Sequence, residues 1–291
     1  MLQYFYMRIK KTIKGKITHA PIAIVTPGLN EEKKLPSCLD AILNQTLKPT
    51  EVIFVNHNST DNTLQVANSY KPKFKRANIK YTVLTEKKKG IANARNAGWK
   101  MATQPIIASL DSDCIPSKNW IVNLNNFFNK STALACTGKI VHYDANELWK
   151  TITDKGNYYG LMSQLMYLRN GFIPLTTANC AIRKKTFEKV GGFDPNIKSI
   201  NGLDDVEIAS KIAHHGTVEY VENIVVFSSF RRYQNLEKAV SSLLERNVAM
   251  IEIRNKFKEK NRIQNPTMLD SMISNLEELF EDTSKVLKPK K

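Results

Sequence analysis

No run in this 291-residue chain approaches the roughly 18 apolar residues a membrane-crossing helix needs. The N-terminus also lacks the apolar core and small-residue cleavage site of a secretory signal, so the cytoplasm is the expected location. Cysteine is scarce: Cys38, Cys114, Cys136 and Cys180 stand apart with no CxxC pair. That spacing argues against a thiolate zinc site and a disulfide framework, and it suits a reducing compartment. Nor is there an acidic balance. Lys and Arg number 43 against 27 Asp and Glu, a formal charge of +16, while 42% hydrophobic residues exclude disorder as the default.

The positive charge is clustered at Arg8 to Lys16, Lys71 to Arg76, Lys87 to Lys89, Arg183 to Lys185, Arg231 with Arg232, and the C-terminal end. Such clusters attract nucleic acid, anionic lipid or phosphorylated small molecules, and charge alone does not choose among them.

Four short apolar runs recur: "IAIVT" (Ile22 to Thr26), "EVIFV" (Glu51 to Val55), "IKYTVL" (Ile79 to Leu84) and "IIASL" (Ile106 to Leu110). Each is bounded by polar or turn residues and reads as a strand. Leu35, Leu39, Ile42 and Leu43 fall at helical spacing between the first two, as do Ile91, Ala94, Gly98 and Ala102 between the last two. Strands alternating with helices imply an α/β fold with a mostly parallel, Rossmann-like sheet and flanking helices. Further on, the pattern predicts a strand over Ala178 to Ile182, a helix from Lys184 ended by Gly191 and Gly192, and a helix carrying Val206, Ile208, Ala209 and Ile212. A strand over Thr217 to Phe227 and amphipathic helices from Asn235, broken near Pro266, complete it. The expected division is an arm over 1–19, one domain over 20–234 with halves 20–116 and 117–234, and a helical extension over 235–291.

Polar clusters follow every one of the first four strands: "TPGLNEE", "NHNSTDNT", "TEKKKGIANARN" and "DSDC". In open α/β sheets ligands bind beyond the carboxyl ends of the strands, where loops and helix N-termini converge. Asp111 and Asp113 therefore lie at the mouth of a crevice. A D-x-D pair suits hard divalent cations such as Mn²⁺ or Mg²⁺, which use few protein carboxylates and complete their shell with water and phosphate. Capping a turn is the alternative use of the same two acids.

In order, "IAIVTPGLNEEKKLPSCLDAILNQT", "EVIFVNHNSTDNT", "KGIANARNAGWKMA", "IIASLDSDCIP", "TANCAIRKKTFEKVGGFD" and "GLDDVEIASKI" resemble the family 2 glycosyltransferases of GT-A fold, over roughly residues 20 to 232. The resemblance implies an inverting, metal-dependent transferase that moves a sugar from a nucleotide diphosphate sugar, UDP first and GDP second, to a hydroxyl of a glycan or lipid-linked acceptor. By the same resemblance Pro27, Asn30, Glu31, Asn56, Asn58 and Asp61 hold the nucleoside. Arg95 lies near the diphosphate, Ser112 belongs to the nucleotide-binding set, Asp111 approaches the ribose or the metal shell, and Asp113 ligates the metal directly, with Asp111 as the second acid of the metal site. Arg231 and Arg232 close over the diphosphate, Asp204 and Asn179 stand on the acceptor side, and Asp205 is the general base.

Two departures stand out. Asn56 replaces the family's usual Asp, and an amide both donates and accepts where a carboxylate only accepts. Phe227 and Ser228 occupy the place where relatives often carry a histidine. His214 and His215, at a helix end, read as surface residues compatible with the helix dipole. The segment Gly156 to Pro174 reads either as a core helix or as one that dips toward a membrane. With the aromatic and basic start "MLQYFYMRIKKTIKGK" it makes an anionic membrane surface a candidate partner, peripheral at the cytoplasmic face.

Two other classes fit parts of the pattern. A nucleotidyltransferase of related fold would also use metal and nucleotide, but "IVTPGLNEEKK" lacks the Gly-rich signature of sugar nucleotidyltransferases. A basic nucleic-acid-binding protein would use the charge, but no recognised module is present and an acidic mouth repels phosphate unless metal is bound. The expectation is therefore no nucleic acid.

Overall fold

The computed structural model describes residues 18–145, 158–197 and 203–233, together with 251, 253 and 255. The expected N-terminal arm up to residue 17, and the C-terminal extension apart from those last three positions, lie outside the described residues.

Eight strands form one sheet: β1 (His19–Gly28), β2 (Lys48–Asn56), β3 (Lys80–Thr85), β4 (Ile106–Ser109), β5 (Ile115–Pro116), β6 (Ala135–His142), β7 (Cys180–Arg183) and β8 (Val218–Ser228). Eight helices are described: α1 (Leu35–Leu43), α2 (Thr63–Ser69), α3 (Lys71–Arg76), α4 (Ile91–Met101), α5 (Trp120–Lys130), α6 (Tyr158–Asn170), α7 (Lys184–Lys189) and α8 (Leu203–Ala213). A 3₁₀ turn over Phe230–Tyr233 follows β8.

The strand order is β3-β2-β1-β4-β7-β6-β8-β5. Pairings β1 with β2, β1 with β4, β2 with β3, and β6 with β8 are parallel, whereas β7 runs antiparallel to β4 and β6, and β5 to β8. The sheet is thus mostly parallel, as the sequence implies, and the two expected halves share it without a break.

The apolar runs are continuous because both faces are covered. Ile22, Ile24, Val52 and Phe54 pack with α1, α2, α3 and α5, while Ala23, Val25, Ile53 and Val55 pack with α4, α7 and α8 on the other face. Helix α4 lies so close to the sheet that a Cβ at Gly98 would come within 2.4 Å of Val25. β6 and α5 carry no clear signal in the sequence reading. The strand "ACTGKIVH" is broken by Thr137, Gly138 and Lys139, and its identity rests on pairing with β7 and β8. α6 covers most of the segment read as core or membrane-facing, and it is mixed: Met166 packs on the core while Tyr167 and Leu168 are exposed. No described helix is long and apolar enough to cross a membrane.

Candidate active site

Strand order reverses around β1, with β2 on one side and β4 on the other, so the crevice opens beyond their carboxyl ends. Pro27 is buried in the last turn of β1 opposite Val55, and Ser112 is buried against Gly28.

The loops after β1 and β2 are tied to each other. Asn30 and Asn58 take left-handed φ values of 55° and 56°, a conformation asparagine tolerates better than most residues. The Asn30 side-chain oxygen accepts the Thr60 N–H at 2.8 Å, and Asn58 Nδ2 donates to the Lys87 carbonyl at 2.9 Å. Asp61 accepts from Thr63 N–H at 3.0 Å, Thr63 Oγ1 at 2.6 Å and Glu32 N–H at 3.2 Å. Asn30, Asn58 and Asp61 therefore fix the backbone of the loops after β1 and β2.

Two ionic clusters meet at the mouth. In the outer one Arg231, carried by the 3₁₀ turn, donates from Nη2 to Glu31 at 2.8 Å and to Asp113 at 2.7 Å. The bond to Glu31, with the charge of Asp113 behind it, holds the guanidinium protonated. Beneath Asp111 and Asp113 lie the buried thiols of Cys38 and Cys114. Burial first, and the two acids second, push both thiols up, so neither offers a thiolate.

The inner cluster centres on Arg95 of α4. Its Nη1 donates to Asp204 and lies 3.6 Å from Asp205, and its Nη2 lies 3.6 Å from Asp111. Asp204 and Asp205 occupy the first turn of α8, where acids complement the helix dipole. Asp204 is only 1% exposed, and Asp205 also accepts the Thr177 N–H at 3.1 Å. Burial alone would disfavour the Arg95 cation, but Asp205, Asp204 and Asp111 together hold it charged. One guanidinium thus joins the first acid of D-x-D to the acidic pair across 109 residues from Arg95 to Asp204.

One assignment needs correction. Asn179 is fully enclosed, its oxygen accepting from Trp120 Nε1 at 2.8 Å and its nitrogen donating to the Lys139 and Ile224 carbonyls at 2.8 and 2.9 Å. It braces β6, β8 and α5, leaving nothing to meet an acceptor. Gly138 makes this possible: a Cβ there would sit 2.1 Å from the Ile224 carbonyl oxygen. The backbone of Arg232 lies in the 3₁₀ turn, and its side chain is outside what is described.

Three contributors escape the sequence reading. His142 is paired in register with Ser228, and its ring meets Phe230 edge-on at 5.5 Å. Asp144 accepts from Ser229 Oγ at 2.7 Å and from the Phe230 N–H, anchoring the turn that carries Arg231. His57 is buried next to Asn56. The strand-end position of His57 was a usable signal, but nothing local links Asp144 to Phe230, 86 residues away.

Among the described residues no three His, Cys, Asp or Glu side chains converge as metal ligands. Asp111 and Asp113 still offer two hard carboxylates, and Asp113 already faces a cation, Arg231. That donor set fits a divalent ion whose remaining ligands are water and phosphate.

The model of the family described as "Glycosyl transferase family 2" matches residues 23–191. Glycosyltransferase GlyG of Streptococcus pneumoniae is 30% identical over 138 residues, covering 47% of this chain and 42% of that protein. The chain spans less than half the length of the first curated relatives it matches. Among solved structures, S. aureus TarS 1–349 superposes with a TM-score of 0.56 at 16% identity, covering 78% of this chain and 64% of that one. A mannosyltransferase from Pyrobaculum calidifontis, in complex with GDP-Man and Mn²⁺, gives 0.57 at 17% identity, covering 95% and 87%. These two share the fold of the chain. With the family model spanning more than half of its residues and the acids of its motifs gathered at one crevice, the chain belongs to glycosyl transferase family 2.

Proposed function

We propose that the chain is an inverting, metal-dependent glycosyltransferase that moves a sugar from a nucleotide diphosphate sugar to a hydroxyl of a glycan or lipid-linked acceptor. The observation that carries this reading is the Arg95 cluster, which sets the donor-side Asp111 and the acceptor-side Asp205 on one guanidinium.

Asp205 acts as the base. A hydroxyl is a poor nucleophile, and a carboxylate that receives its proton during attack lowers the barrier. Arg95 lies 3.6 Å from one oxygen of Asp205, and the Thr177 N–H fixes the other, so the carboxylate is held in place. Asp204, buried on Arg95, positions that cation. Attack from the acceptor side opposite the diphosphate is a single displacement, which inverts the sugar carbon. Asp111 and Asp113 would hold Mn²⁺ or Mg²⁺, which supplies positive charge to the departing diphosphate. Arg231 adds a second cation on the same side, leaving Asp113 for the phosphates.

The donor class is also supported by neighbours of the same fold: TarS in complex with UDP-GlcNAc, and the mannosyltransferase with GDP-Man and Mn²⁺. A panel of UDP-, GDP- and CDP-sugars with Mn²⁺ and simple glycan acceptors tests the reading, with NMR assignment of the anomeric product. Metal-dependent transfer with inverted configuration is expected. Retention at the sugar carbon, or transfer at full rate in EDTA, would overturn the mechanism.

A further inference from the structure

Asn56 ends β2, opposite Gly28 on β1 and Thr85 on β3, and is 3% exposed. Its amide oxygen is shut off from solvent, yet among the described residues it meets no hydrogen-bond donor. His57, 8% exposed, holds an Nδ1 in the same condition. Buried polar atoms are normally satisfied, and one left open at a strand end beside a ligand crevice marks a place where a ligand supplies the partner.

The carboxylates around them are already committed. Asp61 is taken by Thr63 and Glu32, Glu32 by the Asn62 N–H, and Glu31 by Arg231. What remains open at the end of β2 is an amide and an imidazole, and each of these can both donate and accept.

We infer that Asn56 makes the nucleoside end of this site ambivalent between uracil and cytosine, so that the chain binds cytidine diphosphate as well as uridine diphosphate. The inference rests on the nucleotide-sugar reading given above. An ionised carboxylate at this position only accepts, so it pairs with uracil N3–H and repels the lone pair on cytosine N3. An amide serves either base by turning over. With uracil it accepts from N3–H and donates to O4; with cytosine it accepts from the N4 amino group and donates to N3. Among the described residues nothing holds the Asn56 oxygen, so both orientations are open.

Calorimetric titration of the full chain with UDP and CDP in MnCl₂ tests this on the wild type, Asn56→Asp and Asn56→Ala. The wild type should bind the two within about tenfold of each other, and Asn56→Asp should keep UDP while losing CDP by about tenfold or more, the scale of one bidentate base contact. Asn56→Ala should weaken both nucleotides in parallel, and it carries the test if the buried aspartate prevents folding. The inference is overturned if the wild type binds UDP but not CDP, if Asn56→Asp leaves their ratio unchanged, or if Asn56→Ala leaves both affinities intact. Failure of the wild type to bind any nucleoside diphosphate would instead overturn the nucleotide-sugar reading, and this inference with it.

Discussion

Arg231 and Asp113 meet at 2.7 Å across 118 residues of sequence, and the same guanidinium nitrogen reaches Glu31 at 2.8 Å. A single side chain after β8 thereby ties the loop after β1 to the loop after β4. Its carrier turn is held in place by Asp144, so the latch is positioned from β6 as well.

Because Arg231 is 51% exposed, its ion pairs should add little to stability. Arg231→Ala is expected to change the unfolding free energy by no more than about 1 kcal/mol. Binding of a nucleoside diphosphate with Mn²⁺ should weaken by about tenfold or more through loss of a charged contact to phosphate. Urea titration and calorimetry on one preparation separate these outcomes. A large stability loss with unchanged binding would make Arg231 structural only.

The two acids of α8 should separate in the opposite sense. Asp204 is buried on Arg95, so Asp204→Asn should destabilise the fold by about 3–5 kcal/mol, the usual cost of removing one member of a buried pair. Asp205→Asn should keep donor binding while transfer falls by about 10²–10⁴. Steady-state kinetics beside chemical denaturation reads both. Normal turnover in Asp205→Asn, or a selective turnover loss in a fully stable Asp204→Asn, would reassign the base.

Asn179→Ala would leave the Trp120 indole N–H and the Lys139 and Ile224 carbonyls without their partner. Each orphaned buried group costs about 1–3 kcal/mol, so a loss of about 3 kcal/mol or more is expected. A variant melting at the wild-type temperature would refute the brace.

Glu51 provides a pH test remote from the crevice. Its side chain is fully enclosed and accepts from Lys80 Nζ at 2.7 Å, Thr103 N–H at 2.7 Å and Thr103 Oγ1 at 2.9 Å. Burial pushes its pKa up, but Lys80 and Thr103 outweigh it and the net direction is down. A lowered folded pKa contributes stability above the unfolded value of about 4.3, and that contribution is lost as pH falls through the folded value. The stability gap between wild type and Glu51→Gln should therefore be largest near neutral pH and shrink under acid. Denaturant curves taken at several pH values that show a constant gap would remove Glu51 from the linkage.

The sequence by itself determined the first half of the sheet. β1, β2 and β4 are local apolar runs buried on both faces, β3 is a part-buried run at the sheet edge, and the D-x-D pair follows β4 in the chain, so period and turn chemistry locate the crevice without tertiary information. The acidic pair was legible in the same way, because Asp204 and Asp205 start a helix. Only the tertiary structure decided which polar residues remain open to a ligand. Asn179 and Asp61 carry side chains as suited to binding as those of Asn56, yet partners supplied by other elements commit the first two to the scaffold. The pairing of Arg95 with Asp204, and of Arg231 with Glu31 and Asp113, likewise depends on how distant strands are ordered in the sheet. A hydrogen bond forms with whatever the fold brings within about 3 Å, and separation along the chain carries no trace of it.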